Sequence, residues 1–182
     1  MNKKQKLEYI WKAIRKAHPK KTLVFSDGSP NNKIMIIGEA PGIDEENQGL
    51  PFVGRAGKLL IATLEKLSCP RSEFYISNVV KYRPQNEFGK TLTPTLKEIA
   101  IFRTSIEKEI EIINPKIIVL LGRIAMVGMG IKGTMGANHG KIITRDNKKI
   151  LIVYHPAAIL RNPNLKPIFR KDLSKIKKMS QS

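Results

Sequence analysis

The sequence contains one cysteine, Cys69, among its 182 residues. A single thiol excludes an internal disulfide and any all-cysteine metal or cluster site, and it suits a reducing compartment. No apolar run reaches the roughly 18 residues that a bilayer-spanning helix needs, so no membrane-spanning segment is expected. The opening stretch MNKKQKLEYIWKAIRK scatters charges among its apolar residues, and no secretory signal is read there. Negative charge is scarce as well: 15 acidic residues stand against 33 lysines and arginines, a net charge of +18. The imbalance is uneven, for from Ile112 onward 14 basic residues face only Asp146 and Asp172. A field of this sign gathers and steers polyanions. Nucleic acid is the leading partner; a generally lysine-rich composition and an acidic membrane surface are the alternatives.

A chain of this length buries roughly 70% of its unfolded surface without covalent staples, and one domain over residues 1–182 is expected. Leu7, Ile10, Trp11 and Ile14 recur on one face of an amphipathic helix over residues 6–17, within a basic amino-terminal segment 1–22. Lys33–Ile37, Phe74–Val80 and Lys116–Leu121 read as buried strands. Helices are predicted over 56–67 and over 94–113, the second with Pro94 in its first turn, and Gly122 opens a further short helix. Segments 38–54, 81–93 and 130–140 read as loops. Residues 141–144 and 149–154 flank the turn-forming Arg145-Asp146-Asn147 as a hairpin, and a basic helix or tail occupies 164–182. Alternating strands and helices predict an α/β fold, a three-layer α/β/α sandwich on a central, mostly parallel four-stranded sheet. Ligands of such sheets sit at the carboxyl ends of the strands, here near Gly38, Asn78, Gly122 and His155.

Those ends carry the chemistry. Gly38-Glu39-Ala40-Pro41-Gly42 leads through Asp44-Glu45-Glu46 to Gly49-Leu50-Pro51-Phe52-Val53-Gly54-Arg55-Ala56-Gly57. The glycines permit close backbone approach to a ligand, but the spacing is neither GxxxxGK[ST] nor GxGxxG, so an unconventional phosphate loop competes with a structural turn. Asn78 offers a donor and an acceptor to the hydrogen-bonding edge of a ligand; a turn or capping role is the alternative. His155, in His155-Pro156-Ala157, either donates to an anionic oxygen or caps the next helix.

Taken together, GEAPG…GLPFVGRAG, YISNVVKYRP, PKIIVLLG and HPAAILRNP resemble the uracil-DNA glycosylase superfamily in order from Lys33 to Pro163. The nearest likeness is to its fourth family, whose members usually carry an iron–sulphur cluster. The resemblance implies a monofunctional enzyme that flips uracil out of DNA and hydrolyses its glycosidic bond, leaving an abasic site. A non-catalytic DNA-binding module of the same fold is the alternative. Phe52 would stack on the base, Asn78 would bond its Watson–Crick edge, and His155 would donate to O2. Glu39 and Ala40 would line the pocket, and Ile159 or Leu160 would be the apolar wedge that fills the gap in the duplex. Gly54, Gly57, Arg161 and Asn162 would grip phosphates. Glu45 is the first choice and Glu39 the second for a group that handles water.

The chain departs from the pattern at the cluster. The positions that match its cysteines are Trp11, Ile14, Tyr82 and Phe102, so no cluster and no other cofactor is expected, with packed side chains as the staple instead. The 83–93 loop, RPQNEFGKTLT, lacks the histidine of the branch that crosslinks to DNA. A monomer is expected, cytoplasmic and nucleoid-associated if the source is bacterial, with any replication or repair partner unspecified.

Overall fold

A computed structural model describes residues 1–181. The elements in chain order are α1 (Lys3–Ala17), β1 (Ser26–Asp27), β2 (Ile34–Gly38), α2 (Ile43–Gln48), α3 (Arg55–Glu65), β3 (Phe74–Asn78), α4 (Leu96–Ile113) and β4 (Ile117–Leu121). They continue with α5 (Gly122–Gly128), α6 (Met135–Asn138), β5 (Ile142–Arg145), β6 (Lys148–Val153), α7 (Pro156–Arg161), α8 (Lys166–Leu173) and α9 (Lys175–Gln181). Every residue of β2, β3 and β4 is buried. Strands buried along their whole length belong to parallel sheets covered on both faces.

The sheet has six strands in the order β1-β3-β2-β4-β6-β5. Its inner four are parallel, as the alternation predicted, and an antiparallel strand is added at each edge, so the expected four-stranded count is corrected to six. On one edge β5 and β6 form the predicted hairpin. Both turn residues, Asp146 and Asn147, have positive φ (50° and 59°), the conformation that tight hairpin turns require. On the other edge β1 is only two residues long and carries no pattern that sequence could reveal.

Alternate residues of each strand feed two cores. Met35, Ile37, Tyr75, Ile118 and Leu120 pack with Leu7 and Ile14 of α1 and with Phe102 and Ile106 of α4. Ile36, Phe74, Ile76, Val119 and Leu121 pack with Leu60 and Leu64 of α3, Ile159 of α7 and Phe169 of α8. This is the three-layer sandwich. Two helix starts show why the boundaries fall where they do. Asn2 and Gln5 cap α1 reciprocally, and Thr95 and Glu98 do the same for α4. Pro94 therefore precedes the cap instead of occupying the first turn. Segments 38–54 and 130–140, expected as loops, contain the short helices α2 and α6.

Candidate active site

β2 and β3 end side by side, with Gly38 paired to Asn78. Gly38 has no side chain to spare at that point: a Cβ there would overlap both the Asn78 Oδ1 and the Phe52 ring. The glycine thus lets an aromatic ring and a carboxamide converge over one strand end. Phe52 reaches it from a backbone with φ 56°, a left-handed conformation that costs an ordinary residue roughly 1–2 kcal/mol. The loop holds that conformation by external bonds. Arg71 donates to Phe52 O (3.0 Å) and Pro51 O (2.7 Å), and its guanidinium is paired with Asp27 at 2.7 Å. On the other side, Gly57 of α3 lies so close to the Phe52 backbone that any Cβ would collide with it.

His155 follows β6 and caps α7, its Nδ1 accepting from Ala157 N–H at 3.2 Å. The ring stands 6.0 Å from that of Phe52, centroid to centroid. Enclosure by protein atoms, with the nearby Arg161 cation adding to it, lowers its pKa from 6.5 to about 4. The imidazole is therefore neutral at pH 7. With Nδ1 accepting, the ring proton is on Nε2, which is left as a donor.

These residues surround one cavity of about 290 Å³, lined by Glu39, Ala40, Glu45, Phe52, Asn78, His155 and Arg161, with Thr91, Leu92 and Thr93 on one rim. Asn78 is 1% exposed, and among the described residues its Oδ1 has no hydrogen-bond partner. A buried acceptor without a partner costs about 1–3 kcal/mol, so this atom is poised for a donor brought by a ligand. Burial raises the pKa of Glu39, against the opposing pull of Arg123 and Arg161.

Several expected residues take other positions. Glu45 lines the cavity, yet its carboxylate accepts three backbone N–H bonds, from Gly42 (3.1 Å), Val53 (3.0 Å) and Gly54 (2.8 Å). It clasps the two ends of the glycine-rich loop. The Gly54 amide is taken by that clasp, and Gly57, in the first turn of α3, lies against the Phe52 backbone. Of the two wedge candidates, Ile159 is 2% exposed and belongs to the core, whereas Leu160 is 40% exposed. Asn162 is exposed, its side chain accepting from Asn164 N–H at 3.3 Å. Sequence reasoning missed Arg71 and also Lys81, whose ammonium lies behind Asn78 and donates to its carbonyl at 2.8 Å.

The four positions matched to cluster cysteines lie in or against a single core. Tyr82 and Phe102 meet edge to face at 5.6 Å, and the His18 ring stacks on Phe102 at 5.1 Å. Ile14 is buried with them, while Trp11 stacks on Phe25 at 5.0 Å. None of these side chains supplies a thiolate, and they do not fit an iron–sulphur cluster. Cys69 is buried in the opposite core. Among the described residues no group of three His, Cys, Asp or Glu side chains is placed to hold a metal ion, and no helix is long and apolar enough to cross a membrane.

A doubly wound α/β domain whose strand tips enclose a neutral histidine, an aromatic floor and an orphaned amide is built to hold a flat polar ring. Residues 25–177 match the family model of the Uracil DNA glycosylase superfamily, and the chain belongs to that superfamily. It is 40% identical to the type-4 uracil-DNA glycosylase of Sulfurisphaera tokodaii, over 86% of this chain and 74% of that protein. It is 38% identical to the type-4 uracil-DNA glycosylase of Thermotoga maritima, over 85% and 81%. A DNA polymerase of Bacillus phage SP01 is 30% identical over 80% of this chain, which corresponds to 16% of the polymerase.

Proposed function

We propose that this protein is a monofunctional uracil-DNA glycosylase of base excision repair, hydrolysing the bond between uracil and deoxyribose in DNA. The observation that carries the reading is the unpartnered Asn78 Oδ1 in a cavity shared with Phe52 and His155. Uracil N3–H supplies the donor that this oxygen lacks, and the Asn78 amide N–H matches uracil O4. Cytosine has no proton on N3 and carries an amino group at C4, so it would oppose the same amide donor to donor and acceptor to acceptor.

The base leaves the stack at a cost of a few kcal/mol, and its stacking on Phe52 returns about 1–3 kcal/mol. The C1′–N1 bond then breaks with its electron pair passing to uracil, where negative charge gathers on O2, while C1′ becomes cationic. The neutral His155 donates from Nε2 to O2. One preorganised donor contributes roughly 2.7–4 kcal/mol, short of the ~8 kcal/mol at the low end of enzymatic acceleration. Asn78, loop amides and the DNA phosphates share the remainder. Water adds to C1′ late, and its proton passes to Glu39, the cavity carboxylate that is not committed to backbone bonds. No covalent intermediate with the enzyme forms.

Glu45 has a structural role in this scheme: it holds the Gly42 and Val53–Gly54 ends of the loop so that Phe52 stays beneath the base. Leu160 fills the space the base vacates, and Arg161 contacts a phosphate at the cavity mouth. Packing of Tyr82, Phe102, Ile14 and His18 replaces a cluster as the tie between α1 and the 82–102 segment, and no cofactor takes part. The enzyme works as a monomer where cellular DNA is exposed.

Incubation with a uracil-containing oligonucleotide followed by alkali tests the reading. Strand scission at the uracil is expected, and none with thymine in its place. An intact strand after treatment with folded protein would leave only the non-catalytic binding module.

A further inference from the structure

The rim of the cavity that carries Thr91, Leu92 and Thr93 belongs to a loop whose tip exposes an aromatic side chain. Phe88 is 84% exposed, although the loop around it is pinned. Asn86 Oδ1 accepts from both Phe88 N–H (3.1 Å) and Lys90 N–H (2.9 Å), and Gln85 bridges to Thr91. Arg83, 8% exposed, is anchored on Glu46 at 2.8 Å. From there its guanidinium donates to Gly89 O (2.9 Å), to Thr91 Oγ1 (3.2 Å) and to Gln85. A buried cation and a side-chain cap thus order a loop that leaves its largest apolar group in water. That order gives the core nothing, since the Phe88 ring joins neither apolar cluster.

Phe88 lies three positions before the cavity-lining Thr91, a reach of at most about 11 Å for an extended chain. The same cavity is lined by Arg161, whose neighbour Leu160 is 40% exposed. Two segments that line the cavity therefore each carry exposed apolar side chains next to a cation: Phe88 and Leu92 with Lys90, and Leu160 with Arg161. A basic surface that offers an aromatic face is the combination that holds single-stranded nucleic acid, and the chain's net charge of +18 selects a polyanionic occupant.

We infer that Phe88 is a second stacking platform, outside the uracil pocket, that takes a nucleobase neighbouring the extruded nucleotide on the same strand. The inference rests on the proposed function, since it needs DNA at this mouth. Phe88 fixes the strand's course as it enters, so its effect falls on binding and not on bond cleavage.

The test uses full-length wild type, Phe88→Ala and Phe88→Trp with a single-stranded oligonucleotide carrying 2′-fluoro-deoxyuridine, whose glycosidic bond resists cleavage. The Phe88→Ala change is expected to weaken binding five-fold or more, and Phe88→Trp to restore it. Replacing the nucleotides that flank the uracil by abasic sites should bring wild type and Phe88→Ala to the same affinity. On ordinary uracil DNA the saturated single-turnover rate should be equal in all three. Equal affinity of wild type and Phe88→Ala for the intact strand overturns the inference, as does a defect that persists with abasic neighbours. So does a wild-type dimer that Phe88→Ala dissolves while DNA binding is unchanged. Uracil release by the wild type in the same series keeps the proposed function standing in each of these cases; no release overturns both.

Discussion

Lys81 Nζ donates to the backbone carbonyl of Asn78 at 2.8 Å from a position with no solvent exposure. Its other bonds go to Ser77 Oγ at 2.7 Å and Glu109 Oε1 at 2.8 Å, so all three ammonium protons are used. Glu109 also accepts from Ser77 at 2.8 Å and from Trp11 Nε1 at 3.3 Å. One buried network therefore joins α1, β3 and α4 directly behind the amide assigned to uracil. Burial pushes the Lys81 ammonium down from its usual pKa, against the stabilising pull of Glu109.

Removing one partner of a buried pair leaves the other charge uncompensated, at a cost of about 3–5 kcal/mol. Lys81→Met should lower stability by that amount in urea denaturation. The double variant Lys81→Met/Glu109→Leu should recover most of the loss, because both charges then go. A single variant as stable as wild type would show that the network carries little.

The His155 assignment fixes a pH profile. A histidine that titrates at about 4 in the fold and at 6.5 in the unfolded chain takes up its proton first in the unfolded state as the pH falls. Its contribution to stability is complete above about 6.5 and is lost as the pH drops from there through 4. Single-turnover uracil release should show no inflection near 6.5 attributable to this residue and should decline only toward the acid end. An inflection near 6.5 that disappears in His155→Gln would contradict a neutral donor.

The two cavity carboxylates separate by kinetics. Glu39→Gln should lower the cleavage rate by about 10²–10⁴-fold, the range of a group that accepts a proton in the reaction, with little change in stability. Glu45→Gln keeps only one good acceptor oxygen for three amides, so it should destabilise the fold and weaken DNA binding while lowering the cleavage rate less than ten-fold. The reverse pattern would return the water-handling role to Glu45.

Adjacent apolar residues on α7 have opposite expected fates. Ile159→Ala opens a hole in the core and should cost about 2–5 kcal/mol of stability, with cleavage of duplex and single strands affected alike. Leu160→Ala should leave the melting temperature unchanged and slow cleavage of duplex more than of single strands, since only a duplex has a gap to fill. Equal effects of Leu160→Ala on both substrates would remove it as the wedge.

The parallel strands were legible because each carries a run of apolar residues that leads to Gly38, Asn78, Gly122 or His155, and those ends located the cavity. The trio of Phe52, Asn78 and His155 followed from the motifs. Arg71 was not legible: its targets lie 19 and 20 residues away and only the fold unites them. Lys81, a lone charge after the apolar run Val79-Val80, was a usable signal, but its partner Glu109 sits on another element. The clasp made by Glu45 was not legible either, because its amides belong to Gly42, Val53 and Gly54 and only the folded loop brings them together. The choice between Ile159 and Leu160 depends on which way α7 turns onto the sheet, and two neighbouring apolar residues do not specify that.

The most direct test of the pocket is the rate of uracil release from one duplex by wild type, Asn78→Ala and His155→Ala, each shown to be folded by circular dichroism. The account predicts ready release by the wild type and at least a hundred-fold loss in each variant. Release by both variants at the wild-type rate, or none by the folded wild type, would contradict it.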